Sequence, residues 1–239
     1  MTGTLHLVGV GPGDPELLTL KAARLLAAVP VVAYPVTGEG EAFALSIAER
    51  HINSNAERMP IDIPMTVKLP NGEFAPKDAI YVQAAAAIEE HLEAGRDVAY
   101  LCEGDPLFYG SANYLLSILL DKRRVSVVPG ITSITAAAAA IPFPLVGRWE
   151  SFTVLTAPWP DKDLRSVLEA AGSVAIIKVG RHFDRVRAVL DATRRAEGSW
   201  LVEYATGDRQ RIERVRDAAP GPRPYFSVIL SFSGAEYWL

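Results

Sequence analysis

Apolar positions along the first half of the chain alternate between short continuous runs and helical spacing. Residues 4–10 form a β-rich run that ends in a glycine turn, and residues 17–28 repeat apolar positions at helical spacing, with Asp14 or Thr19 placed as an N-cap. Residues 31–34 are a second buried run and 42–50 read as helix. Residues 59–76 are rich in proline, hold the Asn71-Gly72 pair and show no period, so a long loop is expected there. Residues 77–94 are a strong helix, stopped by Gly95 just past its end. A buried run at 97–102, a turn at 103–106, a helix at 109–120, a strand at 125–128 and a small-residue helix at 132–140 complete this half. Such alternation predicts an α/β fold with a mostly parallel sheet and helices on both faces.

Pro142 and Pro144 mark a boundary, after which the pattern restarts. Residues 152–156, 173–179, 200–204, 212–215 and 225–232 read as strands, and 164–170 and 183–195 as helices. The last two strands lie close in sequence, so the second sheet is expected to be mixed. The simplest architecture is two α/β domains, 1–142 and 143–239, with a ligand cleft between them.

Composition narrows the class. Of 239 residues, 49% are apolar and 22% charged, ordinary for a globular protein. A net charge of -4 argues against a large nucleic-acid footprint. The longest apolar stretches are broken by Pro30 and Pro35 and are too short to span a bilayer. The N-terminus lacks the layout of a signal peptide. Cys102 is the single cysteine, so neither an internal disulfide nor a cysteine-based zinc site is available. It reads as a buried strand residue, and a cytoplasmic location is expected.

Three glycine turns carry the candidate chemistry, each after a buried strand. Gly9-Val10-Gly11-Pro12-Gly13-Asp14 resembles a dinucleotide fingerprint but fails on spacing, because Asp14 stands where the third glycine belongs. Pro12 removes an amide that a phosphate would use, and Asp14 suits a cationic ligand better. The second turn, Glu103-Gly104-Asp105-Pro106, combines carboxylates with a close-approach glycine; the third, Pro129-Gly130-Ile131-Thr132-Ser133, leads into the alanine-rich helix. Each alone also reads as a plain strand-to-helix turn. All three together should open on one sheet edge, where ligands of α/β sheets bind.

These motifs, in this order, resemble the tetrapyrrole methylases, the methyltransferases of the cobalamin and sirohaem pathways. Residues 103–111, Pro64-Met65-Thr66, Lys178-Val179-Gly180-Arg181-His182 and Pro224-Tyr225-Phe226-Ser227 look like the subgroup that methylates C-20 of precorrin-2, or of its cobalt-bearing counterpart. The resemblance implies a homodimer binding S-adenosylmethionine (SAM) in the interdomain cleft, with no metal or redox cofactor. It implies cofactor contacts at Pro12, Gly104, Asp105, Phe108, Thr132 and Ser133, with further ones near Val179, Ala205 and Ser227. Where many relatives carry glycine or threonine before the Gly-Asp-Pro turn, this chain has Glu103, which supports a subgroup-specific role.

Methyl transfer would ask the protein mainly to align donor and acceptor, worth about 7–11 kcal/mol of a barrier. Glu103, Tyr109 and His182 are candidate catalytic acceptors of the proton the acceptor carbon must lose, with none expected to be essential alone. A polycarboxylate macrocycle needs cations, and Arg148, Lys178, Arg181, Arg185 and Arg187 are available. Arg181 is the favoured substrate contact; Arg185, Arg187, Arg194 and Arg195 also read as the wet face of a helix. Met65 could belong to a lid over the flat macrocycle or to a plain loop. His6 and His91 read as structural and His51 as surface. The rival classes are a nucleotide-dependent oxidoreductase with a variant glycine turn, and a tetrapyrrole carrier without catalysis.

Overall fold

The computed structural model describes residues 2–37, 42–63 and 78–232. By its contacts the chain divides into two units, Met1–Thr132 and Ser133–Leu239.

The first unit runs β1 (Thr4–Gly9), α1 (Leu20–Ala28), β2 (Val31–Val36), α2 (Phe43–Ala48), β3 (Glu57–Asp62), α3 (Asp78–Glu93), β4 (Val98–Cys102), α4 (Ala112–Leu119) and β5 (Arg124–Val128). The strands form one wholly parallel sheet in the order β3-β2-β4-β1-β5. Both faces are covered, which is why the strands read as continuous apolar runs. Along β4, Val98, Tyr100 and Cys102 pack with Ile88 and Leu92 of α3 and Leu115 of α4. Ala99 and Leu101 join the opposite core with Leu26 of α1 and Ile47 of α2.

Of the two candidate caps, Thr19 is the one that starts the helix. Asp14 Oδ1 accepts from Glu16 N at 2.8 Å, capping a short 3-10 turn, and Thr19 Oγ1 accepts from Ala22 N at 3.1 Å, starting α1. Two expectations need correction. Residues 59–62 are not loop but belong to β3, where exposed Pro60 is tolerated because β3 is an edge strand. The helix expected at 109–120 begins at Ala112, because Tyr109 turns left-handed at φ 55°.

His6 is structural, as expected. Its Nδ1 lies 2.6 Å from Ser126 Oγ on β5, and its Nε2 lies 3.7 Å from Asp97. Burial lowers the imidazole's pKa, outweighing the raising effect of Asp97. A histidine held neutral in the fold stabilises it above the ordinary pKa of 6.5 and loses that contribution as pH falls below it. Between pH 7 and pH 5, the melting temperature of the wild type should therefore fall further than that of His6→Gln. Parallel curves for the two proteins would contradict this account.

The second unit runs α5 (Ser133–Ala140), β6 (Phe152–Thr156), α6 (Asp161–Ala170), β7 (Ser173–Ile177), α7 (Phe183–Ala192), β8 (Ser199–Glu203), β9 (Arg211–Arg214) and β10 (Ser227–Ser231). Its sheet is mixed, in the order β6-β7-β10-β8-β9, with β6 and β7 parallel and the other pairs antiparallel. Leu164 and Leu168 of α6 and Phe183, Val186 and Leu190 of α7 build its core against Ile176, Leu201 and Ile229. The unit begins at Ser133, ahead of the prolines at 142 and 144, because α5 packs on β10.

The arginines of α7 and the turn after it are mostly not a wet face. Arg185 donates to the carbonyls of Trp159 and Ala157 and pairs with Asp161. Arg187 holds the carbonyls of Ala218 and Arg216, and Arg195 those of Gly172 and Ala171. These guanidinium groups clamp loops to α6, α7 and β7; Arg194 alone of the four is exposed. Among the described residues, no helix is long and apolar enough to cross a membrane.

Candidate functional site

Parallel pairing of β4, β1 and β5 delivers the three glycine turns to one edge of the first sheet. There they touch backbone to backbone. A Cβ placed on Gly9 would lie 2.7 Å from Gly104 O and 2.6 Å from Gly130 N, and one on Gly130 would lie 2.0 Å from Gly104 O. Only glycine permits that approach. Gly104 N donates to Gly11 O at 2.8 Å and Gly11 N to Gly104 O at 3.3 Å, a small antiparallel bridge between the first two turns. Val10 N donates to Cys102 O at 2.9 Å. Asp105 joins the second turn to the third: its Oδ2 accepts from Gly130 N at 3.0 Å and its Oδ1 from Leu107 N at 2.9 Å.

The turns therefore satisfy one another. The amides of Val10, Gly11, Gly104 and Gly130, which a pyrophosphate would compete for, already donate within the protein, and Pro12 has none. That disfavours the dinucleotide reading. Gly104, at φ 66°, differs: a Cβ there would meet Ile131 O at 3.8 Å, an ordinary contact without a clash.

Two aromatic rings follow the second turn in the chain. Phe108 and Tyr109 are 39% and 44% exposed and meet edge to face at 5.1 Å between centroids. Glu103 lies at the end of β4, half-buried. Burial raises its carboxyl pKa, against the pull of the backbone N–H groups of Glu103 and Ala44. A raised pKa makes it a better proton acceptor than an ordinary carboxylate. Cys102 is fully packed in β4, its thiol pushed well up by burial and by the Glu103 and Asp105 carboxylates, so it is no nucleophile. Thr132 ends the first unit, half-buried just past the third turn.

Ser133 opens the second unit at the first turn of α5. The other sequence-predicted residues of this unit converge on one edge of its sheet. Antiparallel order brings the C-terminal ends of β7 and β8 beside the start of β10, so Val179, Ala205 and Ser227 share that edge. All three are buried, and Ser227 Oγ donates to Pro224 O at 2.7 Å. The backbone here is strained. Lys178, Tyr204 and Thr206 have φ of 58°, 46° and 70°, unusual for residues other than glycine and typical of functional turns. Arg181 is exposed and His182 half-buried on the turn after β7. Burial, then the Arg185 and Arg181 charges, lowers the His182 pKa and favours the neutral ring. Arg148 is exposed. Met65 and the rest of the 59–76 stretch from residue 64 onward, read as a lid or a plain loop, lie outside the described residues.

Sequence reasoning missed Glu203 and Arg223. Glu203 is 4% exposed, the last residue of β8, and forms an ion pair of 3.6 Å with Arg223. A carboxylate closing the apolar run Trp200-Leu201-Val202 was the available signal.

The family model of the tetrapyrrole (corrin/porphyrin) methylases matches residues 4–219, and the chain belongs to this family. Among its relatives is a precorrin-2 C(20)-methyltransferase from a Sinorhizobium species, 34% identical over 231 residues, 95% of this chain and 94% of that one. A cobalt-precorrin-2 C(20)-methyltransferase from Salmonella typhimurium is 30% identical over 242 residues, 99% of each chain. The uroporphyrin-III C-methyltransferase of Thermus thermophilus, solved in complex with S-adenosylhomocysteine, aligns with a TM-score of 0.66 at 26% identity over 97% of this chain and 98% of that one. Cobalamin biosynthesis protein CobIJ of Mycobacterium tuberculosis is 37% identical over 231 residues, and the chain spans 46% of its length.

Proposed function

We propose that the protein is a SAM-dependent C-methyltransferase that methylates C-20 of precorrin-2 in cobalamin biosynthesis, giving precorrin-3A. The observation that carries this reading is the self-satisfied glycine edge. Its amides at Val10, Gly11, Gly104 and Gly130 are already taken, which disfavours a phosphate, and the exposed rings of Phe108 and Tyr109 follow its second turn in the chain. The nearly full-length matches to both C-20 methyltransferases support the substrate, and the complex of the Thermus thermophilus relative supports the cofactor. A homodimer in the cytoplasm belongs to the same reading.

When bound, SAM supplies a methyl group on a sulfonium sulfur, activated for displacement. Pro12, Gly104, Asp105, Phe108, Thr132, Ser133, Val179, Ala205 and Ser227 are the residues that would hold it. The chain's own work is to fix donor and acceptor in line and exclude water. Arg181 would grip a peripheral carboxylate of the substrate, and Met65 would cover the macrocycle. The C-20 carbon loses a proton after it gains the methyl group. Glu103, with its raised pKa, and neutral His182 are acceptors, with Tyr109 nearby in sequence to the glycine edge. Removing a general base costs about 10²–10⁴ in rate. Glu103→Gln, Tyr109→Phe and His182→Gln are each expected to stay within that range in single-turnover assays. A larger drop for one of them, with substrate binding intact, would make that residue indispensable.

The decisive assay uses methyl-labelled SAM with precorrin-2 and, separately, with its cobalt complex. Label at C-20 is expected in at least one, and the faster arm identifies the metal state of the substrate. Calorimetry should show binding of S-adenosylhomocysteine and none of NAD. Tetrapyrrole binding without label transfer would instead indicate a carrier, and NAD binding an oxidoreductase.

A further inference from the structure

Arg223 sits where the two strained turns of the second sheet meet. Its backbone N donates to Gly180 O at 3.0 Å, on the turn that carries Val179. Its guanidinium lies 3.6 Å from Glu203, the residue before the left-handed Tyr204-Ala205-Thr206 turn, and 3.3 Å from Glu213 on β9. It also donates to Ala219 O and lies over the Phe183 ring, 4.4 Å from the centroid. Arg223 thus reaches the β7 turn through its backbone N, and through its side chain the residue that leads into the β8 turn and the first residue of α7.

The pair is poorly built for stability. Glu203 Oε1 and Arg223 Nε are buried without hydrogen-bond partners, and the two side chains are only 6% and 14% exposed. Desolvating two charges costs about as much as their attraction returns, and replacing both with apolar groups is often neutral for stability. Stability alone does not account for a charged pair at this position. Geometry does: the guanidinium donates from Nη1 to Glu213 Oε1 at 3.3 Å and from Nη2 to Ala219 O, and a fork so held fixes direction as well as distance beside Glu203.

We infer that Arg223, bonded to the β7 turn through its backbone and facing Glu203 at the β8 turn, is a positioning residue that sets the spacing between the Val179 and Ala205 turns, and through it the affinity for SAM. This rests on the proposed cofactor contacts of those turns. Neither Arg223 nor Glu203 is one of those contacts.

The test compares wild type, the double variant Glu203→Leu/Arg223→Met, the conservative Arg223→Lys, and a control, Arg195→Met, which removes a carbonyl clamp at residues 171 and 172, ahead of β7 and away from both turns. S-adenosylhomocysteine affinity is read by calorimetry, unfolding by melting temperature, and KM separately for SAM and tetrapyrrole. The double variant removes both buried charges together. It is expected to bind S-adenosylhomocysteine at least tenfold more weakly and to raise the KM for SAM but not for tetrapyrrole, while melting close to wild type. Arg223→Lys should fall between the two in affinity. The control should lose melting temperature but keep its affinity within twofold. Affinity within twofold of wild type in the double variant overturns the inference, as does a loss that tracks melting temperature as the control's does. If the double variant does not fold, Arg223→Lys decides, and wild-type affinity there overturns it. A wild type that binds no S-adenosylhomocysteine removes the cofactor reading itself, and this inference with it.

Discussion

Gly130→Ala is expected to abolish S-adenosylhomocysteine binding and to cost about 3 kcal/mol of stability, the upper end for overpacking. The new methyl group would sit 2.0 Å from the carbonyl oxygen of Gly104 and 2.9 Å from Gly9 Cα. Neither neighbour is a side chain that can swing aside. Relief would require separating the turns after β1, β4 and β5, which dismantles the glycine edge. At about 2–4 °C per kcal/mol for a protein of this size, the melting temperature should drop by roughly 6–12 °C. Gly104→Ala is the instructive comparison. Its added methyl group would be in ordinary contact at 3.8 Å, and only the left-handed backbone at φ 66° opposes it. That costs about 1–2 kcal/mol. Equal losses in the two variants would show that close approach is not what holds the edge together.

Asp105→Asn carries the second large effect. Both carboxylate oxygens accept backbone N–H groups, one from Leu107 and one from Gly130. An amide has one oxygen, so its NH₂ must face one of these donors. Losing a charge-assisted bond and stranding an N–H costs about 3 kcal/mol, again roughly 6–12 °C in melting temperature. Affinity for S-adenosylhomocysteine should fall with it, because the third turn loses its tie to the second. If the variant melts like wild type but loses the ligand, Asp105 contacts the cofactor directly instead of shaping its seat.

The first unit was largely legible from the chain. Its strands are buried on both faces, so their runs stand out, and punctuation by Gly95 and caps at Asp14 and Thr19 mark the helices. Residues 59–62 misled because prolines usually break strands, yet at a sheet edge Pro60 needs no partner for the N–H it lacks. Tyr109 looked helical because its left-handed turn leaves no trace in residue type. The glycine motifs placed the first edge correctly, since each ends a strand of one parallel sheet. At the second edge the family resemblance supplied Val179, Ala205 and Ser227, and no local pattern would have joined them. They meet only because β10 pairs with both β7 and β8. The carbonyl clamps of Arg185, Arg187 and Arg195 were invisible for a similar reason, because a carbonyl acceptor has no signature in sequence. Arg223 and Glu203 fell outside every motif, and their partnership spans twenty residues.

The place of β10 also orders the birth of the protein on the ribosome. The first sheet has all five strands once Val128 has been made, so that half can close while synthesis continues. The second sheet lacks its middle until Ser231 emerges, and β7 and β8 wait with unpaired flanks through the intervening residues. Such flanks invite wrong pairings with other nascent chains. A slow elongation step between β9 and β10 would prolong that exposure, whereas the same pause after β5 would do little harm.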